Sequence, residues 1–333
     1  GLVTGAADDD PSGIGTYSQA GAGFGYALNW LMLVMLPMMI VIQETAGRIG
    51  IVSGKGLASV VKEHYNRWAL YFVIFFLVFA NTVNIGADIG AMAASARLIV
   101  PIPYVWWTLF FVLAIVLLEV LIPYKVYAKI LKWLCLSLFA YIITAFIVHI
   151  SWVDVLKGFI PTLKLQPEYI LIIVALLGTT ISPYLFFWEP SQEVEEEIDH
   201  HIKKENDRPV VTDNWFKRFH KDNFTGMLFS QGVALFIMIT AAATLHQQGI
   251  TNISSADQAA AALAPLVHSF PNSGKIAQLL FAFGIIGTGL LSIPVLAGSA
   301  AYGVSEALDI KEGLGKKVKR ARGFYAVIAG ATF

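Results

Sequence analysis

The chain has 333 residues, of which 56% are hydrophobic and only 14% charged, and its formal net charge is zero. A soluble domain carries about 25% charged residues, so the excess apolar surface must face lipid, and no basic footprint for nucleic acid exists. The single cysteine, Cys135, lies in an apolar run and reads as a small core residue, which rules out a disulfide framework.

A bilayer core of about 30 Å calls for roughly 20 apolar residues per helix. The expected spans are 1–26, 27–44, 68–98, 104–122, 126–150, 168–189, 224–245, 276–307 and a ninth beginning at Gly323. Gly1 opens into an apolar stretch without a basic leader region and Phe333 falls inside another, so both ends are expected to be trimmed. The first span is interrupted by Asp8, Asp9, Asp10, Pro11, Ser12 and Gly13, and the sixth by Thr179, Thr180, Ile181, Ser182, Pro183 and Tyr184. Proline removes a backbone donor and clashes with the preceding turn, and acids at mid-membrane are costly unless they line a cavity. Unwound backbone is therefore expected at residues 10–13 and 182–184, the two breaks facing each other. The 193–223 stretch mixes charges of both signs with His200, His201 and His220 and reads as a solvated cytoplasmic linker. The 246–274 stretch reads as an external loop carrying a short helix.

With the first span starting in the cytoplasm, every Lys and Arg of the 23 except Arg97, Lys157, Lys164 and Lys275 falls on the cytoplasmic side. That asymmetry sets the orientation. Pro11 precedes Ser18-Gln19, and Pro183 precedes Ser191-Gln192 at nearly the same distance. Five spans separate the two breaks, an odd number, so the halves run in opposite senses. Such inverted repeats place a substrate site at their interface. The expected organisation is a first repeat over 1–150, an external connector over 151–167, and a second repeat over 168–333 that ends within the ninth helix.

The stretch from Asp10-Pro11-Ser12-Gly13 through Thr16, Gln19 and Phe24-Gly25-Tyr26 to Arg48-Ile49-Gly50-Ile51-Val52-Ser53-Gly54-Lys55 resembles the natural resistance-associated macrophage protein family. That family carries D-P-G-N, then Thr, Gln, F-G-Y and L-G-I-V-T-G-K at similar spacing. The resemblance implies an all-α polytopic membrane protein with a LeuT-like fold, discontinuous helices 1 and 6, alternating access, and proton-coupled uptake of divalent transition metals. It also implies that Asp10 is a substrate ligand and that Asp88 takes part in proton transfer. The departures are as informative. Gly13 and Ser182 stand where the family has the metal-binding asparagine and methionine, Tyr184 where it has histidine, and Asn81 and Ala91 where it has further acids. Soft sulfur selects late transition metals, so its loss leads to the expectation of no transition-metal site.

Two substrate classes follow for this secondary transporter. A bicarbonate-like oxyanion would meet the exposed N–H groups after Pro11 and Pro183, with Ser12, Gly13, Thr180, Ser182 and Tyr184 around it and Asp10 protonated beside it; this reading is favoured. A hard divalent cation, Mg²⁺ or Mn²⁺, would instead use the oxygens of Asp8, Asp9 and Asp10. A remoter reading is a membrane enzyme whose aspartates hold a Mg²⁺–diphosphate, but such sites need a second acid cluster. No cofactor is implied. The expected partners are a small inorganic ion, protons and the bilayer of a prokaryotic plasma membrane, with the amino terminus in the cytoplasm.

Overall fold

A computed structural model describes residues 2–122, 124–205, 208–269 and 271–333. Gly1, with which the first expected span begins, and residues 206 and 207 of the expected linker lie outside the described residues. Among those described, seven helical stretches are long and apolar enough to cross a membrane.

The first expected span is two half-helices, α1 (Leu2–Asp8) and α2 (Pro11–Phe24). They are followed by α3 (Asn29–Ser53), the short α4 (Leu57–His64), α5 (Arg67–Ile99), α6 (Tyr104–Leu121), α7 (Tyr124–Leu134) and α8 (Phe139–Ile147). A one-turn helix, α9 (Trp152–Lys157), leads to a second broken pair, α10 (Pro167–Thr180) and α11 (Pro183–Asp199). The chain continues through α12 (Asp213–Thr244), α13 (Ala256–Leu266), α14 (Ser273–Ala307) and α15 (Arg322–Thr332).

Both prolines act as helix starters rather than kinks. Pro11 and Pro183 occupy the first turn of α2 and α11, where the missing N–H is no loss and the fixed φ suits the helix. The extended residues are therefore Asp10 (ψ 162°) and Ser182 (ψ 126°). The breaks sit slightly earlier than expected, and Ser12, Gly13 and Tyr184 are helical.

Burial separates the layers. In the apolar windows of α12 and α14, 72% of residues are buried, against 17% in α6. The first two form the inside, with the half-helices packed against them. Around them, α5 and α6 present Phe72, Phe75, Phe79, Trp106, Phe110 and Leu117 outward, a surface that only lipid suits. The expected external helix is α13, and the loop before it is tied to α2: Gln19 accepts from the Ile253 N–H (2.5 Å) and donates to the Thr251 carbonyl (3.2 Å).

The solvated linker is shorter than expected. Residues 193–199 continue α11 and α12 begins at Asp213. Ser191 and Glu195, four apart on one helical face, turn inward. Glu195 accepts from the Tyr302 hydroxyl (2.5 Å) and from the N–H groups of Leu314 (2.6 Å) and Gly315 (2.9 Å). Ser191 donates to Glu306 (2.9 Å), whose other oxygen accepts the Ser59 N–H (2.9 Å). Alternating charges suggest solvent only when no partner surface waits for them; here the partners come from α14 and the segment after it.

Glu312, in that segment, has one oxygen buried without a hydrogen bond. Burial, and then the charge of Glu306, push its carboxyl up to about 9, with Lys316 pulling the other way. A carboxyl raised in the folded state holds its proton there longer than in the unfolded chain, so its ionisation costs stability progressively as pH climbs from about 4.5 to about 9. Glu312→Gln should remove this slope and raise the melting temperature at pH 8 but not at pH 4, as thermal unfolding followed in detergent would record. An unchanged pH profile would show that Glu312 is not the group responsible.

Candidate functional site

The two breaks meet in the interior. Tyr17 of α2 and Thr180 at the end of α10 share a hydrogen bond (3.1 Å), and the Tyr184 hydroxyl of α11 donates to the Ala7 carbonyl of α1 (2.9 Å). Each half-helix pair is thus stitched to the other by a tyrosine.

Asp10 is the N-cap of α2. Its Oδ1 accepts from the Gly13 N–H (2.6 Å) and from the Ser12 hydroxyl (3.0 Å), which fixes the carboxyl at the positive helix end. Asp88, on α5, reaches the same turn: its Oδ1 accepts the Ser12 N–H (3.0 Å) and its Oδ2 the Ser292 hydroxyl of α14 (3.3 Å). Ser12 therefore bridges the two acids, one through its hydroxyl and one through its backbone. Gly13 keeps room for this arrangement, because a Cβ there would stand 2.9 Å from Asp10 Oδ1 and 3.1 Å from Thr179 Oγ1.

Of the residues expected at the site, Asp10, Ser12, Gly13, Asp88, Thr180 and Tyr184 are brought together. Ser182 is not. Its hydroxyl turns back to the Thr179 carbonyl, satisfying an acceptor left over at the end of α10. Asp8, Asp9 and Asp10 do not converge on one point, and no group of three or more acid, His or Cys side chains able to hold a metal exists among the described residues. The alternative in which Asp8, Asp9 and Asp10 together hold a hard cation is corrected accordingly. Asn81 donates to the Leu296 carbonyl (2.9 Å) and Ala91 is buried, so neither supplies a charge.

Three residues were missed. Ser292 and Ser230 lie in α14 and α12 with no local mark. Glu189 did carry a mark, being an acid within an apolar run. It accepts from Thr4 of α1 (2.8 Å) and from Gln43 of α3 (3.4 Å), while Gln43 also donates to the Leu185 carbonyl (3.3 Å).

The electrostatic balance is one-sided. Asp8, Asp9, Asp10 and Asp88 are each at most 2% exposed, and no Lys or Arg is buried among the described residues. Uncompensated charges in a low-dielectric interior cost several kcal/mol each. The arrangement can hold cations or protons. It is poorly built for an anion, because the Ser12 and Gly13 N–H groups that an oxyanion would use already bind Asp88 and Asp10. That occupancy at α2 weighs against the preference for a bicarbonate-like ion.

Comparison with known proteins agrees with the sequence resemblance. The chain is 28% identical over 298 residues to a divalent metal cation transporter, MntH, of Klebsiella pneumoniae subsp. pneumoniae, covering 87% of this chain and 67% of that protein. It is 26% identical over 295 residues to the MntH of Erwinia tasmaniensis, covering 86% and 66%. The chain thus spans about two thirds of the length of these relatives. Its fold matches the crystal structure of a manganese transporter from Eremococcus coleocola in complex with an aromatic bis-isothiourea substituted compound. The TM-score is 0.75 at 16% identity, over 99% of this chain and 74% of that one. That likeness fixes the discontinuous-helix, LeuT-like architecture. A family model described as natural resistance-associated macrophage protein-like matches residues 1–333, and the chain belongs to that family.

Proposed function

We propose that this chain is the core of a secondary transporter that carries a hard divalent cation, of the Mg²⁺ and Mn²⁺ kind, by alternating access. The observation that carries the reading is the set of four buried carboxyls without a buried cationic partner, grouped where two broken helices meet. The relatives' printed function, divalent metal cation transport, supports it. The cation would bind to the second oxygen of Asp10, to carbonyls at the ends of α1 and α10, and to the hydroxyls of Thr180 and Tyr17. All of these are oxygen donors, which hard cations prefer. No sulfur takes the Ser182 position, so selectivity for soft metals is expected to be weak.

Proton coupling is part of the proposal. Among the described residues the hydrogen bonds linking Asp88 to Asp10 run through Ser12, and charge arriving at Asp10 changes the field at Asp88. Asp88 is therefore assigned the coupled proton and Asp10 the cation. The inverted halves, 1–150 and 168–333, would rock about this pair.

The test is flux. Purified full-length protein in liposomes, with a pH-sensitive dye inside, should take up Mn²⁺ and Mg²⁺ and acidify the lumen, with Cd²⁺ no better than Mn²⁺. Uptake of bicarbonate in the absence of metal, or of neither class, would overturn the assignment.

A further inference from the structure

The arrangement around Asp10 leaves two acids of the motif unused. Asp8 ends α1 and Asp9 follows it; they are 1% and 0% exposed, and none of their carboxylate oxygens makes a hydrogen bond of good geometry among the described residues. Ser230 of α12 lies against both carboxyls. Its own hydroxyl is fully buried, and those two carboxyls are what it lies against, without a hydrogen bond of good geometry to either. Tyr141 of α8, whose buried phenol lies against Thr288, also stands in the field of Asp9. The two helices approach closely enough for this because glycines face each other: a Cβ on Gly5 would fall 2.3 Å from the Gly226 carbonyl oxygen.

Buried polar atoms are almost always hydrogen-bonded, and each exception calls for an occupant. Here the exceptions are clustered, are all oxygens, and carry up to two negative charges with no buried Lys or Arg nearby. A water alone would satisfy the hydrogen bonds and leave the charge. An anion would add to it. One divalent cation meets both needs, since a hard cation commonly takes one or two carboxylates and fills its remaining positions with hydroxyls and retained waters.

We infer that Asp8, Asp9 and Ser230 form a second site for a hard divalent cation, with Tyr141 at its edge, distinct from the site at Asp10 and Asp88. The distinction is geometric. Asp10 caps the first turn of α2, its Oδ1 held by the Gly13 N–H, whereas Asp8 and Asp9 lie against Ser230 of α12. The inference goes beyond the transport reading and shares with it only the preference for oxygen-bound cations.

Free Mn²⁺ counted by electron paramagnetic resonance, during titration of the full chain in detergent, tests it. Wild type should bind two Mn²⁺ per chain, both displaced by excess Mg²⁺. Asp8→Asn/Asp9→Asn should bind one, and Ser230→Ala, a change too small to threaten folding, should weaken one site by about tenfold, the scale on which partners around a metal act. Asp10→Ala should also bind one, and it is the Asp8 and Asp9 site that remains. A Mn²⁺ count left unchanged by Asp8→Asn/Asp9→Asn, whether wild type binds one ion or two, would overturn the second site. Failure of the transport reading looks different: two ions would persist in Asp10→Ala, or bound metal would move with no flux.

Discussion

Asp10→Ala is expected to reduce both cation binding at the α2 site and cation flux by more than about a hundredfold. Two losses combine. Removing an N-cap costs about 0.5–2 kcal/mol of helix stability, and removing the carboxylate that caps α2 at the break removes the charge that balances the cation. Changes to the outer partners of a metal already act at ten- to hundredfold, and a directly binding charge exceeds them. Asp10→Asn separates the two contributions. Its amide oxygen still accepts the Gly13 N–H, made at 2.6 Å in the native protein, so the cap survives and the charge does not. Under the cation reading, binding and flux fail together in both variants. If Asp10 only capped the half-helix, Asp10→Asn and Asp10→Ser would both transport normally. If the substrate were an oxyanion, Asp10→Asn would bind it and lose only the acidification. Flux and internal pH measured for the three variants tell these cases apart.

Much of this site was legible from residue types alone, because the laws involved are local. Proline within an apolar run marks a helix break whatever surrounds it, and an acid in a membrane span marks a polar interior. Asp10 and Asp88 could be named on those grounds together with the family resemblance. The direction of a hydroxyl is not local in that sense. Ser182 had a free carbonyl of its own helix within reach, at Thr179, and bonds to it instead of facing the site. The occupancy of the α2 N-terminus was equally hidden. Asp88 reaches Ser12 across 76 positions of sequence, and only the packing of α5 beside α2 reveals that the N–H groups an anion needs are taken. The charge-mixed run after Pro190 misled for the same reason. Its pattern was compatible with solvent, and the partners that bury it, Tyr302 and the backbone at Leu314 and Gly315, lie more than 100 residues away.

Glu189→Ala is expected to loosen α1 selectively. This seven-residue half-helix cannot hold its shape by propagation alone, since isolated helices shorter than about 12 residues are marginal in water. It relies on what it touches. Towards α11 its side-chain and backbone ties are Thr4 to Glu189 and Ala7 to Tyr184, and Glu189 also holds Gln43 of α3. A hydrogen bond contributes about 0.5–1.5 kcal/mol, and Glu189 accepts two of them. Their loss shifts an open–closed balance of α1 by roughly ten- to a hundredfold. Amide exchange across residues 2–8, followed by mass spectrometry on the protein in nanodiscs, should therefore accelerate by that factor in Glu189→Ala while α12 and α14 stay protected. Glu189→Gln retains an acceptor for the Thr4 hydroxyl and should exchange close to wild type. If transport is proton-coupled as proposed above, an α1 that opens too readily lets metal pass uncoupled, so Glu189→Ala should carry metal with fewer protons per ion, read as a lower ratio of acidification to Mn²⁺ uptake. Unaltered exchange at residues 2–8 in Glu189→Ala would show that the half-helix is held by its packing on α12, where Gly5 meets Gly226, and not by this acid.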